Sequence, residues 1–136
     1  MSYIINLTQD GEVYAVIADG TTNTTSGLTL IGRNYPSYGE IQNENFIKLL
    51  ENFAKDSPPG FVPLTGQLWW DTANNILRVY SGTSWKISTG ATAGDANDPP
   101  TDLSAQGGDL WYDRSNKQLK VSDGAGSWVT IGPAAK

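Results

Sequence analysis

Gly66-Gln67-Leu68-Trp69-Trp70-Asp71-Thr72-Ala73-Asn74-Asn75-Ile76-Leu77-Arg78-Val79-Tyr80-Ser81-Gly82-Thr83-Ser84-Trp85 decides how this chain is read, because half of it is written twice. The second copy is Gly108-Asp109-Leu110-Trp111-Tyr112-Asp113-Arg114-Ser115-Asn116-Lys117-Gln118-Leu119-Lys120-Val121-Ser122-Asp123-Gly124-Ala125-Gly126-Ser127-Trp128. With Gly126 taken as one insertion, 10 of 20 aligned positions are identical, too many for chance in so short a span. The shared frame is G-x-L-W-x-D-x-x-N-x-x-L-x-V-x-x-G-x-S-W, the mark of a tandem architecture. Each copy predicts three short strands joined by two tight turns. The first turn carries Asp and Asn, whose side chains bond to nearby backbone; the second carries Gly.

A unit this small has almost no core of its own, and large rings supply buried area compactly. Trp69 and Trp111 match, as do Trp85 and Trp128, so these four read as structural anchors. Leu77, Val79, Leu119 and Val121 alternate with polar or variable residues and are expected to face the same core. The copies differ where Trp70, Ile76 and Tyr80 correspond to Tyr112, Gln118 and Ser122, while Arg78 and Lys120 both stay basic. The extra apolar groups of the first copy predict a covered surface there, under a helix or another subunit, and a wetter one in the second copy.

Upstream, Tyr3–Leu7 and Glu12–Ala18 read as a hairpin around an Asp10-Gly11 turn. Asp19–Gly27 is a polar loop and Leu28–Ile31 a third strand. A helix is expected over Glu40–Ala54, where Ile47, Leu50 and Ala54, flanked by Phe46 and Phe53, repeat at helical spacing. Pro58-Pro59 lies beyond its end. Its apolar stripe needs a partner, by default the adjacent sheet. Phe46, Ile47, Leu50, Phe53, Trp70 and Tyr80 are the candidate interface residues. Thr89–Leu103, rich in Gly, Ala, Asp and Pro, reads as a linker, and Gly132–Lys136 as a frayed or cut end. The fold class is α+β, mainly β. The expected organisation is an attachment and oligomerisation module at 1–60, a first Trp unit at 61–88, a linker at 89–103 and a second Trp unit at 104–132.

The composition narrows the chemistry. The 136 residues contain no His and no Cys. Disulfides, thiolate zinc sites, imidazole ligands and Ser-His-Asp triads are thereby excluded. Asp71 and Asp113 occupy matching turn positions, so local turn bonding accounts for them better than a two-carboxylate glycosidase cleft. Asp95, Asp98 and Asp102 lack the Gly and terminal Glu of a calcium loop. No catalytic residue, metal or cofactor is expected. A net charge of −5 has the wrong sign for tracking nucleic-acid phosphates or anionic membranes. No apolar run is long enough for membrane insertion, and Met1-Ser2-Tyr3-Ile4 does not open a secretory signal. A competing reading is a carbohydrate-binding module, with Trp70, Tyr80 and Tyr112 stacking on sugar rings.

Two stretches resemble a known family. Leu28-Thr29-Leu30-Ile31-Gly32-Arg33-Asn34-Tyr35 through Tyr38-Gly39-Glu40, with Asn45-Phe46 and Leu49-Leu50-Glu51-Asn52-Phe53-Ala54, resembles the N-terminal module of tail-fibre-like virion structural proteins of marine contractile-tailed bacteriophages, of cyanophage type. Gly66–Asp71 through Val79–Trp85 is similar to the short W-x-D…G-T-S-W element that follows it in that family. The resemblance implies a structural virion protein, a fibre or an appendage of tail, baseplate or neck. It implies other virion proteins as partners, a homotrimer and a place in host attachment. It carries over no catalytic residues. Relatives of this type are often longer, so two alternatives are expected, a short connector protein or a fragment without the receptor-binding tip.

Overall fold

The computed structural model describes residues 1–134, with one helix and eleven strands in four small sheets. The chain is α+β and mainly β. Strands β1 (Tyr3–Asn6) and β2 (Val13–Ile17) form the expected antiparallel hairpin. Asp10 Oδ1 accepts the Glu12 N–H at 2.9 Å in its turn, the local bonding for which Asp is favoured there. Ala15 and Ile17 face inward and are buried, while the cross-strand pair Ile4 and Val16 is exposed.

The region read as a polar loop contains β3 (Thr22–Asn23), paired antiparallel with β4 (Leu30–Ile31). The strand expected over Leu28–Ile31 is thus halved. Its Thr29 backbone is taken by a side chain: the Thr29 N–H donates to Asn45 Oδ1 and the Asn45 amide donates back to Thr29 O, both at 2.8 Å. One amide thereby satisfies a donor and an acceptor that a neighbouring strand would otherwise take.

Asn45 belongs to α1 (Tyr38–Leu50), and it reverses the expected orientation of that helix. The polar side chains Asn45 and Lys48 make the contact with the body of the protein, Lys48 Nζ donating to Gly27 O at 3.2 Å. Phe46, Ile47 and Leu50 stay outside, with Leu50 77% exposed. The helix also ends four residues earlier than its apolar pattern suggests. Asn52 and Phe53 both adopt positive φ, at 52° and 54°, a conformation that stops a helix. The backbone beyond them turns to a sheet: Trp70 N–H donates to Asn52 O, Lys55 N–H to Trp70 O, and Thr72 N–H to Lys55 O. Phe53 packs on Phe61 with ring centroids 5.2 Å apart. Gly27 is required beneath that pair, since a Cβ there would lie 2.6 Å from the Phe61 ring and its φ is +93°.

The two Trp units form parallel versions of one design. In the first, β5 (Leu68–Asp71), β6 (Ile76–Tyr80) and β7 (Trp85–Ile87) make an antiparallel meander. In the second, β9 (Leu110–Asp113), β10 (Gln118–Ser122) and β11 (Trp128–Gly132) do the same. The expected linker is not a free tether. It contains β8 (Thr92–Gly94), which pairs parallel with β9 and completes a four-stranded sheet. The first unit has the same lead-in, reduced to one parallel bridge between Lys55 and Asp71. The repeat therefore begins earlier than the Trp frame. Ala54-Lys55-Asp56 with Pro58-Pro59 answers Ala93-Gly94-Asp95 with Pro99-Pro100.

Register also corrects the expected core. Trp69 stands opposite Arg78 and Trp70 opposite Leu77, so Leu77 and Val79 share a face with Trp70, away from Trp69. Leu119 and Val121 likewise share a face with Tyr112, away from Trp111. The Trp side of each sheet is the packed one. Trp69 meets Trp85 edge-on at 5.5 Å, and Trp111 meets Trp128 at 5.3 Å. Trp69 and Trp111 are each 3% exposed, whereas Trp85 and Trp128 are half-buried.

Apolar burial is sparse for a chain of this mass. Ala15, Ile17, Trp69 and Trp111 are the buried hydrophobic residues among those described. The accessible surface is 8910 Å², against about 6,900 Å² for a compact monomer of this mass.

Candidate functional site

The most densely hydrogen-bonded side-chain cluster is a carboxylate hub, built once in each repeat. Asp71 ends β5, on the face of Trp69 and Arg78. Its Oδ1 accepts the backbone N–H groups of Ala73 at 3.0 Å and Asn74 at 3.2 Å. Its Oδ2 accepts the Asn74 amide at 2.9 Å and Arg78 Nε at 3.0 Å. Asp113 repeats this with Ser115 N–H, Asn116 N–H, the Asn116 amide and Lys120 Nζ, at 3.0, 3.2, 2.8 and 3.2 Å. The basic group then lies over the neighbouring indole. Arg78 Cζ is 5.6 Å from the Trp69 ring centroid and Lys120 Nζ 4.9 Å from that of Trp111, within cation–π range.

Both carboxylates are buried, Asp71 at 2% and Asp113 at 0% exposure. The Asn74 amide foremost, aided by Arg78, holds the Asp71 carboxyl below its ordinary range against the opposing effect of burial. The Asn116 amide and backbone, with Lys120, do the same for Asp113. Each carboxylate has its oxygens filled by its own turn and one cation. The arrangement fixes a strand–turn–strand corner and a Trp ring.

The sugar-stacking candidates do not converge. Trp70 and Tyr112 hold equivalent places on the outer faces of two separate sheets, whereas Tyr80 lies on the Trp face of the first, 5.2 Å from the Trp85 ring. Trp70 is half-buried and Tyr112 is exposed, in the expected direction. The other two positions go against the expectation of a wetter second copy. Gln118 and Ser122 are more buried than Ile76 and Tyr80. Polar partners explain it: the Gln118 amide donates to Pro133 O at 3.1 Å, and Ser122 Oγ accepts the Gly124 N–H at 3.2 Å. The helix does not cover the first copy either, since its own apolar side is outside.

A feature with no counterpart in the sequence reading lies between the repeats. Asp102 reaches back to the Ser81–Ser84 turn, where one carboxylate oxygen accepts the hydroxyls of Ser81, Thr83 and Ser84. These hydroxyls, Ser81 and Ser84 foremost, hold the Asp102 carboxyl down to about 2. Lys86 pairs with Asp109 at 3.3 Å beside it. These two ties border a cleft of about 370 Å³ that also includes Trp85, Ile87 and Leu103. The hydroxyl-rich Ser81-Gly82-Thr83-Ser84 turn was the available signal. A second cleft, of about 460 Å³, lies in the N-terminal module between Ile5, Tyr14, Leu30, Leu49 and Phe53. The buried Tyr14 hydroxyl there lacks a hydrogen-bond partner among the described residues.

Among the described residues no group of three acidic side chains converges as a metal cage, and no helix is long and apolar enough to cross a membrane. No family model, curated protein or solved structure matches the chain.

Proposed function

We propose that the chain is a non-catalytic structural component of a bacteriophage virion, a tail-fibre or related tail, baseplate or neck appendage protein. In this reading it assembles with other virion proteins and with copies of itself, as a trimer, and serves host attachment. One observation supports it most: apolar side chains sit on the outside of every module. Phe46, Ile47 and Leu50 on α1 are exposed, as are Ile4 and Val16 on the hairpin and Val129 on β11. Exposed apolar surface of this extent is the usual mark of an assembly component. The most heavily hydrogen-bonded carboxylates, Asp71, Asp113 and Asp102, are committed to holding turns.

The test is detection of the chain in purified phage particles by mass spectrometry, followed by Ile47→Asp with Leu50→Asp. Loss of the double variant from particles, with the sheets intact by circular dichroism, is expected. A chain absent from purified particles overturns the reading. The exposed Tyr112 ring favours a second reading, recognition of a host-surface glycan. Glycan-array binding that disappears in Trp70→Ala or Tyr112→Ala would establish it.

A further inference from the structure

Each repeat places the same four positions on the sheet face away from its Trp pair, with Leu68 and Tyr112 exposed and the others half-buried. Leu68, Trp70, Leu77 and Val79 in the first repeat correspond to Leu110, Tyr112, Leu119 and Val121 in the second. Half the aligned positions of the two copies have changed, yet all four of these remain apolar or aromatic. They are not needed for the Trp-side packing, which lies across the sheet. A sheet open to water on one side normally alternates apolar with polar residues, so an apolar outer face kept twice indicates that something covers it. We infer that this outer face of the repeat sheets is where copies of the chain pack against one another.

Three observations favour a second copy as the occupant. The first is area. The chain carries about 2,000 Å² more surface than a compact monomer of its mass, an amount that an obligate homo-oligomer removes from each protomer. The second is spacing. The face occurs twice along the chain, with Trp69 and Trp111 42 positions apart, so a copy brings a matching pair of patches in the same order. The third is charge. A chain of net charge −5 repels itself in general, but the carboxylates Asp71 and Asp113 turn to the opposite side. Lys86, the charged residue that register places on the outer face, is paired with Asp109. Contact through this face therefore opposes no unpaired carboxylate of the two sheets, Asp109 being neutralised by Lys86. Strands β7 and β11 end their sheets, and an adjoining copy would also shield those edges.

The inference rests on the self-assembling part of the proposed function, and names its surface. The experiment is sedimentation velocity of the full chain across micromolar concentrations, with two double variants. Val79→Asp with Val121→Asp is expected to raise the half-dissociation concentration about tenfold or more. Ile47→Asp with Leu50→Asp is expected to leave it unchanged. The near-ultraviolet circular dichroism of the Trp pairs, on the other side of each sheet, reports whether the variants fold. Should the sheet variant unfold, the absence of Cys supplies a second test. Val129→Cys, beside Val121 on the outer face, gives one thiol per chain. A short bis-maleimide should link two copies through it, but not through Ile47→Cys on the helix. A wild-type monomer overturns the inference, as does a folded sheet variant that still associates, or linkage through Ile47 and not Val129. A monomer found in purified particles overturns this inference alone. Association through the outer face in a chain absent from particles overturns the virion reading alone.

Discussion

The two repeats share a plan and differ at its margins. Both keep the Asp hub, its Asn, a basic residue over the indole and an edge-on Trp pair. They differ in the lead-in strand. The first repeat holds it by a bridge at Lys55; the second builds a three-residue strand ending at Gly94. The Trp69 indole N–H donates to Lys55 O at 3.1 Å, while the Trp111 indole N–H has no partner among the described residues. What a unit of this size cannot lose is the corner that orients its ring. What it can vary is how its neighbour closes the first edge.

The harshest way to break the comparison is to remove a hub. Asp113→Ala leaves two backbone donors, one amide and one ammonium without their acceptor. We expect the second repeat to lose its Trp couplet in circular dichroism while the first keeps its own, and Asp71→Ala to do the converse. Next is an exchange at the lead-in. A Cβ at Gly94 would lie 2.8 Å from the Asp98 carbonyl oxygen, so Gly94→Lys should cost about 1–3 kcal/mol in denaturant unfolding. Lys55→Gly should cost about 0.5–1 kcal/mol. Equal costs would mean that Gly94 is no more crowded than Lys55. A finer cut is Trp→Phe. Trp69→Phe loses a hydrogen bond that Trp111→Phe does not, and should be the more destabilising by about 1 kcal/mol.

These contrasts were only partly legible in the sequence. The Trp rings, the Asp-Asn turns and the three strands of each meander were readable because the repeat states them twice. The facing of Leu77 and Val79 was not, because alternation fixes sides only within one strand. Trp69 pairs with Arg78, and that register sets the Trp and Leu77 on opposite sides. The helix was misoriented for a related reason. An apolar stripe is taken to face inward, but Asn45 completes the Thr29 backbone and so fixes the polar side against the body. The lead-in strands had a readable signal in the two Ala-x-Asp…Pro-Pro segments, blurred by insertions in the second. The role of Asp102 depended on a contact 18 to 21 residues away, which no local pattern announces.

The smallest effect expected is a selective one, in acid. Asp102 has its pKa lowered from 3.8 to about 2, so its tie to the Ser81–Ser84 turn adds stability that is fully present above pH 3.8. That stability is lost as pH falls through about 2. NMR titration of the Asp102 carboxyl should follow this course, with the Ser84 amide resonance moving alongside. Asp102→Asn should remove the acid dependence of that resonance at little cost to either sheet. A Ser84 amide indifferent to both changes would show that the repeats are not tied there.

The long-range bonds of the N-terminal module set an order of events during synthesis. Thr25 O accepts the Val62 N–H, and Ser26 O accepts the Gln67 amide from 41 residues downstream. Each meander, by contrast, closes on near neighbours in the chain. The module that leaves the ribosome first is therefore completed only when the opening of the first repeat has followed it. At ordinary translation rates that gap is about 2–8 s, during which Ser26 waits for its partner and Tyr14 and Leu30 stand without the Gln67 side of their cleft. The hairpin and helix are elements that the first repeat finishes, and a ribosome stalled before Gln67 would hold them half-built.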